Sequence, residues 1–243
     1  MDIKKLLDMP SWEWPPGADK LLLGVLRDRG AALSDRLIAA ELAGDLTVID
    51  DNLAHELLSI VKQEDAPEEL RETAVIALGP VLEHTYDEID LGDERTISSD
   101  TFNRIQESLK KLYMDMDTPK EIRRRTIEAS VRAPQDWHYN AVISAYESHD
   151  EDWKLTAVFC MRYINGFDDH ILEALNSANP DIYYEAICAA GDWGLEDAWP
   201  HIVSIINGRG DDKSLLLAAI EATFNIRPED TADLLSALIY SED

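Results

Sequence analysis

Residues Asn179 to Gly191 read NPDIYYEAICAAG, and this stretch decides the fold because its pattern returns on both sides at a similar spacing. Asn179 can accept hydrogen bonds from the first free backbone N–H groups of a helix, and Pro180 suits the first helical position, where no N–H is required. Ile182, Ala186, Ala189 and Ala190 then recur near helical period, and small side chains among them let a second helix approach closely. Gly191, or a residue just after it, is placed to end the helix. Aligned on Pro180, the corresponding positions are Ser34, Glu68, Lys120, Glu151 and Lys213, at intervals along the chain of 34, 52, 31, 29 and 33 residues. Six residues after each start comes Ala40, Ala74, Thr126, Ala157 or Ala219, and three further on Ala43, Ala77, Ala129, Cys160 or Ala222, matching Ala186 and Ala189. A small residue at two offsets in six copies is the pattern of a solenoid. The expected fold is therefore all-α, a right-handed α–α superhelix of about six helical hairpins, each burying its apolar face against its neighbours.

The repeated segments also carry a resemblance. DAPEELRETAVIALG, DTPKEIRRRTIEASV and NPDIYYEAICAAG resemble HEAT repeats of the short type also found in phycobilisome lyases, and the whole resembles bacterial HEAT-repeat proteins, from about Ser34 to Tyr240. The likeness implies a single HEAT-like solenoid domain over residues 1–243, with capping helices in 1–30, repeats in 31–243 and an acidic insertion at 84–98. It also implies that the second helices of the hairpins line the concave surface. The family's basic residue after the apolar position is met by Arg71, Arg123 and Lys154, whereas Tyr183 and Leu216 replace it later. Polar contacts between neighbouring repeats are accordingly expected in the earlier repeats.

Charge bounds the function more tightly than length does. The 243 residues are 45% hydrophobic, enough to bury a sizeable core, and carry 22 basic against 49 acidic residues, a formal net of −27. Such a surface repels phosphate backbones and disfavours nucleic-acid binding; the HEAT-like DNA glycosylases need a basic concave face that this chain lacks. One stretch, Arg104 to Arg132, reverses the trend with eight basic and five acidic residues. It reads either as helix faces and inter-repeat pairs or as a docking island for an acidic partner. Cys160 and Cys188 sit in helical patterns beside small residues, as buried small hydrophobes do, and no disulfide framework or metal spacing accompanies them. A reducing cytoplasm fits this usage. The N-terminus has no long apolar core followed by a cleavage pattern, and no apolar run is long enough to span a bilayer, so no membrane partner is expected.

Taken in order, residues 2–9 read as a short amphipathic helix, and SWEWPPG as an aromatic hinge whose Trp12 and Trp14 plug the open end of the first repeat. Between His84 and Asp100 lies the acidic insertion HTYDEIDLGDERTISSD, whose Asp87, Asp90, Asp93 and Glu94 are out of register with a calcium loop. TPKE, from Thr118 to Glu121, reads as a capping box. The last helix presents Leu234, Leu235, Leu238 and Ile239 as an apolar stripe, a candidate homodimer contact.

The nearest thing to a site recurs at the starts of second helices. His138, His170 and His201 follow one another at 32 and 31 residues, beside Asp136, Trp137, Asp168, Asp169, Asp197 and Trp199. Helices stacked about 10 Å apart cannot bring three such rings within the roughly 2 Å that zinc requires. The cluster is then either first-turn polar residues with aromatics packing inward, or a recognition strip for a basic peptide or protein. Catalytic templates are missing: no GxSxG elbow, no phosphate-loop glycines, no HExxH. His55-Glu56 is one isolated pair, whereas HEAT-fold hydroxylases that bind two irons use several. From Ala133 onward there are 5 basic and 21 acidic residues. These readings converge on a non-catalytic protein-interaction scaffold with no cofactor, binding a basic protein segment on an acidic concave face. The alternative is a lyase-like enzyme or enzyme subunit using the groove as a ligand cleft.

Overall fold

A computed structural model describes residues 3–87, 96–208 and 212–239. Among these residues the regular structure is helical throughout and no strand occurs. No described helix is long and apolar enough to cross a membrane. The chain divides into two compact units, Met1–Gln135 and Asp136–Asp243.

In the first unit, α1 (Lys4–Leu7) and a 3-10 turn (Ser11–Glu13) lead into α2 (Ala18–Arg27), α3 (Leu33–Ala43), α4 (Asp51–Lys62) and α5 (Glu68–Ala77). There follow α6 (Gly79–Asp87), α7 (Ser99–Met114) and α8 (Lys120–Ser130). Helices α3, α5 and α8 pack in succession as one layer, with α2, α4 and α7 as the other. The small residues explain the first layer: Ala40, Ala43, Ala74, Ala77, Thr126 and Ala129 are all buried in it. Gly44, at the end of α3, lies so close to α5 that an added Cβ would stand 2.4 Å from the Ala77 carbonyl oxygen. Each second-layer helix leans chiefly on the first-layer helix that follows it, α2 on α3, α4 on α5 and α7 on α8.

Three arginines link these layers. Arg36 Nη2 donates to the Leu26 carbonyl at 3.1 Å, Arg71 Nε to Val61 at 2.9 Å and Arg123 Nε to Tyr113 at 2.9 Å. Each reaches back ten residues to a carbonyl at the C-terminal end of the preceding helix, where the intrahelical partner is missing. Arg71 and Arg123 each stand three residues before the first small position of their helix; Arg36 stands one residue out of that register. The neighbours of Arg123 in the basic stretch are also held internally: Arg124 by Glu121 at 2.7 Å, Arg125 by Glu128 at 2.8 Å and Arg132 by Glu83 at 2.6 Å.

Local readings fare unevenly. Trp14 is half-buried and donates its indole N–H to Leu6 and Met9 carbonyls at 3.0 and 3.2 Å, whereas Trp12 is 78% exposed and plugs nothing. The capping box at 118–121 does not form. Pro119, with no side-chain oxygen, occupies the N-cap position, and the Glu121 carboxylate is drawn to Arg124. Residues 79–87 are helical, so the acidic insertion starts inside α6, which packs on α8. Asp90, Asp93 and Glu94 lie outside the described residues.

In the second unit, α9 (Asp136–Tyr146), α10 (Glu151–Cys160), α11 (Asp168–Ala174) and α12 (Pro180–Asp192) are followed by a 3-10 turn (Glu196–Ala198). Then come α13 (Trp199–Gly208), α14 (Lys213–Ile226) and α15 (Pro228–Ile239). Helices α10, α12 and α14 form one layer, against which α9, α11 and α13 respectively pack; α15 packs on α14. Ala157, Cys160, Ala186, Ala189, Ala219 and Ala222 are buried in that layer. At Gly191 a Cβ would meet the Ala222 Cβ at 2.7 Å. Asn179 caps α12 as its chemistry requires, accepting from the Asp181 and Ile182 N–H groups at 3.0 and 3.3 Å. Of the C-terminal stripe, Leu234 and Leu235 are half-buried, and the side chains of Leu238 and Ile239 lie outside the described residues.

Candidate functional site

The residues singled out by the histidine spacing all fall in the second unit, at the starts of α9, α11 and α13. Asp136 and the pair Asp168 and Asp169 occupy first helical turns, and Asp197 lies in the 3-10 turn before Trp199. Carboxylates there oppose the positive end of the helix dipole, which is a local reason for their presence. All four are exposed. The histidines differ from one another. His138 is fully buried, with the Trp137 ring tilted against it at a 3.8 Å centroid separation, so it belongs to the core and not to an accessible strip. His170 is half-buried in an aromatic group joining α9 to α11: its ring meets Tyr146 edge-on at 5.1 Å and Phe167 at 5.7 Å, and Phe167 meets Tyr139 at 4.8 Å. His201 is half-buried with the Tyr183 ring 6.2 Å away. Three separate environments replace one histidine site.

Three basic side chains of this unit, Lys154, Arg162 and Arg227, are seated on its own aromatics and carboxylates. Lys154 Nζ lies 4.6 Å from the Tyr146 ring centroid and 4.0 Å from Glu173. Arg227 stacks over Trp199 at 5.3 Å, with Glu196 and Asp230 each 3.8 Å away. Arg162 bonds Asp192 at 2.7 Å and has Glu185 at 3.7 Å. Trp199 is therefore already occupied by an internal guanidinium. Among the described residues no ion pair holds Asp136, Asp168, Asp169 or Asp197.

A cleft of about 460 Å³ opens beside Tyr146, His149, Lys154, His170 and Glu173. Burial, with the Glu173 carboxylate beside it, pushes the Tyr146 hydroxyl up to about 12, which keeps it protonated at neutral pH and unfit as a general base. Burial also pushes the Cys188 thiol up, against the opposing pull of Arg162, so it is not an activated nucleophile. Elsewhere, His55 faces Thr101 Oγ1 at 3.3 Å while its neighbour Glu56 binds Arg27 at 2.8 Å. Among the described residues no group of three or more histidine, cysteine, aspartate or glutamate side chains is placed to hold a metal ion. No protein-family model matches the chain, and no curated protein matches it.

A larger cleft, about 760 Å³, lies in the first unit along α3, α5 and α8. Glu41, Leu42 and Asp45 contribute one side; Glu69, Glu72, Thr73 and Ile76 the other, with Pro80 beyond and Arg125 from α8. Its residues do not recur along the sequence as those of the strip in the second half do. A signal was present: Glu69, Glu72, Thr73 and Ile76 stand at i, i+3, i+4 and i+7, one helix face on which an isoleucine is left among acids.

Proposed function

We propose that this protein is a non-catalytic scaffold of HEAT-like helical hairpins, arranged as a right-handed α–α superhelix in the cytoplasm, that captures a basic segment of a partner protein. The observation that carries this reading is the distribution of charge in the second unit. Lys154, Arg162 and Arg227 are engaged with their own chain, while Asp136, Asp168, Asp169 and Asp197 stand exposed and, among the described residues, in no ion pair. A partner bringing lysine or arginine supplies what this surface lacks, and such complementarity acts mainly on encounter rate and selectivity. Half-buried Trp137 and His170 stand next in sequence to these carboxylates.

The test is binding of the purified chain to a lysine- and arginine-rich peptide and to its glutamate-substituted counterpart, at low and at high salt. The expected result is capture of the basic peptide alone, weakened by salt and by Asp168→Lys combined with Asp169→Lys. Capture indifferent to salt and to charge reversal anywhere on the chain overturns the reading.

A further inference from the structure

We propose that the cleft along α3, α5 and α8 docks a short segment of a partner protein in which one apolar side chain is flanked on both sides by lysine or arginine. The proposal rests on the reading of the protein as a binder of basic segments, and assigns a separate seat in the first unit. Each side of the cleft carries apolar surface: Leu42 and Pro80 are half-buried and Ile76 is 42% exposed. Its walls are acidic, Glu41 and Asp45 from α3 and the turn after it, Glu69 and Glu72 from α5. Four carboxylates thus line a space that contains one cation, Arg125, already 2.8 Å from Glu128 and 3.8 Å from Glu72.

Chemistry selects the occupant. Burial raises the Glu72 carboxyl above its ordinary value; Arg125 opposes this, and Glu121, Glu68 and Glu69 add to it. A partner ammonium or guanidinium in the cleft relieves that shortage of positive charge. The uncovered isoleucine gains only if the occupant also brings apolar surface. A bare cation satisfies the carboxylates and not the apolar side chains; an apolar peptide does the reverse. The seat is preformed, because Gly44 brings α3 against the Ala77 backbone and sets the spacing of the two walls, so little ordering is needed on binding.

The experiment measures fluorescence anisotropy of two labelled peptides on the full-length protein, one of sequence KRLKR and one of sequence KRSKR. The leucine peptide is expected to bind about tenfold more tightly, as burial of part of one leucine side chain implies. Glu41→Lys combined with Glu69→Lys, both exposed positions, is expected to weaken it by about tenfold or more by like-charge repulsion. Ile76→Ser is expected to erase the difference between the peptides while leaving the serine peptide unchanged. Asp168→Lys with Asp169→Lys, which weakens capture at the second unit, is expected to leave the roughly tenfold preference for the leucine peptide unaltered, and thermal melts confirm that each variant folds. Equal affinity for both peptides, insensitivity to Glu41→Lys and Glu69→Lys, or displacement of KRLKR by spermine at equal concentration overturns the cleft assignment. Loss of binding on reversal of Asp168 and Asp169 alone overturns the cleft while supporting the wider reading. No salt-sensitive binding of either peptide overturns both.

Discussion

Gly44→Ala tests the stacking of α3 on α5 at its tightest point. In isolation the change should help: Gly44 has φ −82° and ψ −5°, which alanine adopts freely, and replacing glycine in a compatible conformation gives about 0.4–1 kcal/mol through the unfolded chain. Here the new Cβ would lie 2.4 Å from the Ala77 carbonyl oxygen and 2.9 Å from its Cα, against 3.4 Å or more for ordinary contact. Those are backbone atoms, so relief requires moving one helix away from the other by about 1 Å, and a displacement of that kind in a packed interior costs roughly 1–3 kcal/mol. Gly24 is the internal control. It lies within α2 in the same unit, and a Cβ there meets nothing within 4 Å. Gly24→Ala is expected to stabilise by about 0.5–1 kcal/mol, and Gly44→Ala to destabilise by roughly 1–2 kcal/mol net. Urea titration followed by circular dichroism reads both as shifts in midpoint at constant slope. A Gly44→Ala midpoint equal to or above the parent, with Gly24→Ala behaving as stated, refutes the close approach.

Two further predictions concern polar groups. Arg71→Met removes a buried guanidinium that donates to the Val61 carbonyl, and is expected to cost about 1.5–3 kcal/mol; Arg36→Met should cost less, because Nε of Arg36 already lacks a partner, and denaturant midpoints rank the two. Tyr146, raised from 10.0 to about 12, holds its proton more tightly folded than unfolded. The unfolded state then ionises first as pH rises, so stability falls between pH 10 and about 12, and Tyr146→Phe should flatten the loss seen in melts across that range.

What the sequence made legible was the alternation of small residues and helix starts, because both are local or fixed by spacing. The small positions at six and nine residues after each start are all buried, from Ala40 and Ala43 to Ala219 and Ala222, and α12 has the bounds that Asn179 and its repeat pattern imply. What escaped depends on which neighbour wins. Thr118 lost its capping role because Pro119 took the N-cap position and Arg124 drew Glu121 away. The helix α6 was hidden by the acidic composition that follows it. His138, by its spacing one of three alike, is buried whereas His170 and His201 are half-buried. Spacing assigns a position on a helix and says nothing of which side chain the neighbouring helix covers.

The fate of the basic residues ties fold to function. A formal charge of −27 already imposes self-repulsion on the folded chain, and any basic side chain left at the surface would moderate it. Lys5, Lys20, Lys110, Lys111 and Lys213 stay exposed and do so in part, whereas Arg36, Arg71 and Arg123 are committed to helix-end carbonyls, Arg124, Arg125 and Arg132 to neighbouring glutamates, and Lys154, Arg162 and Arg227 to rings and carboxylates of the second unit. The committed cations hold elements of one unit together and are not free to neutralise the exposed carboxylates around Asp168 or the cleft around Glu69. An excess of acid beyond what these cations pair with, repeated in two separate units, is accounted for if further positive charge arrives with a bound protein. Solubility alone explains a negative surface, but it gives no reason for Ile76 to stand uncovered between acidic walls.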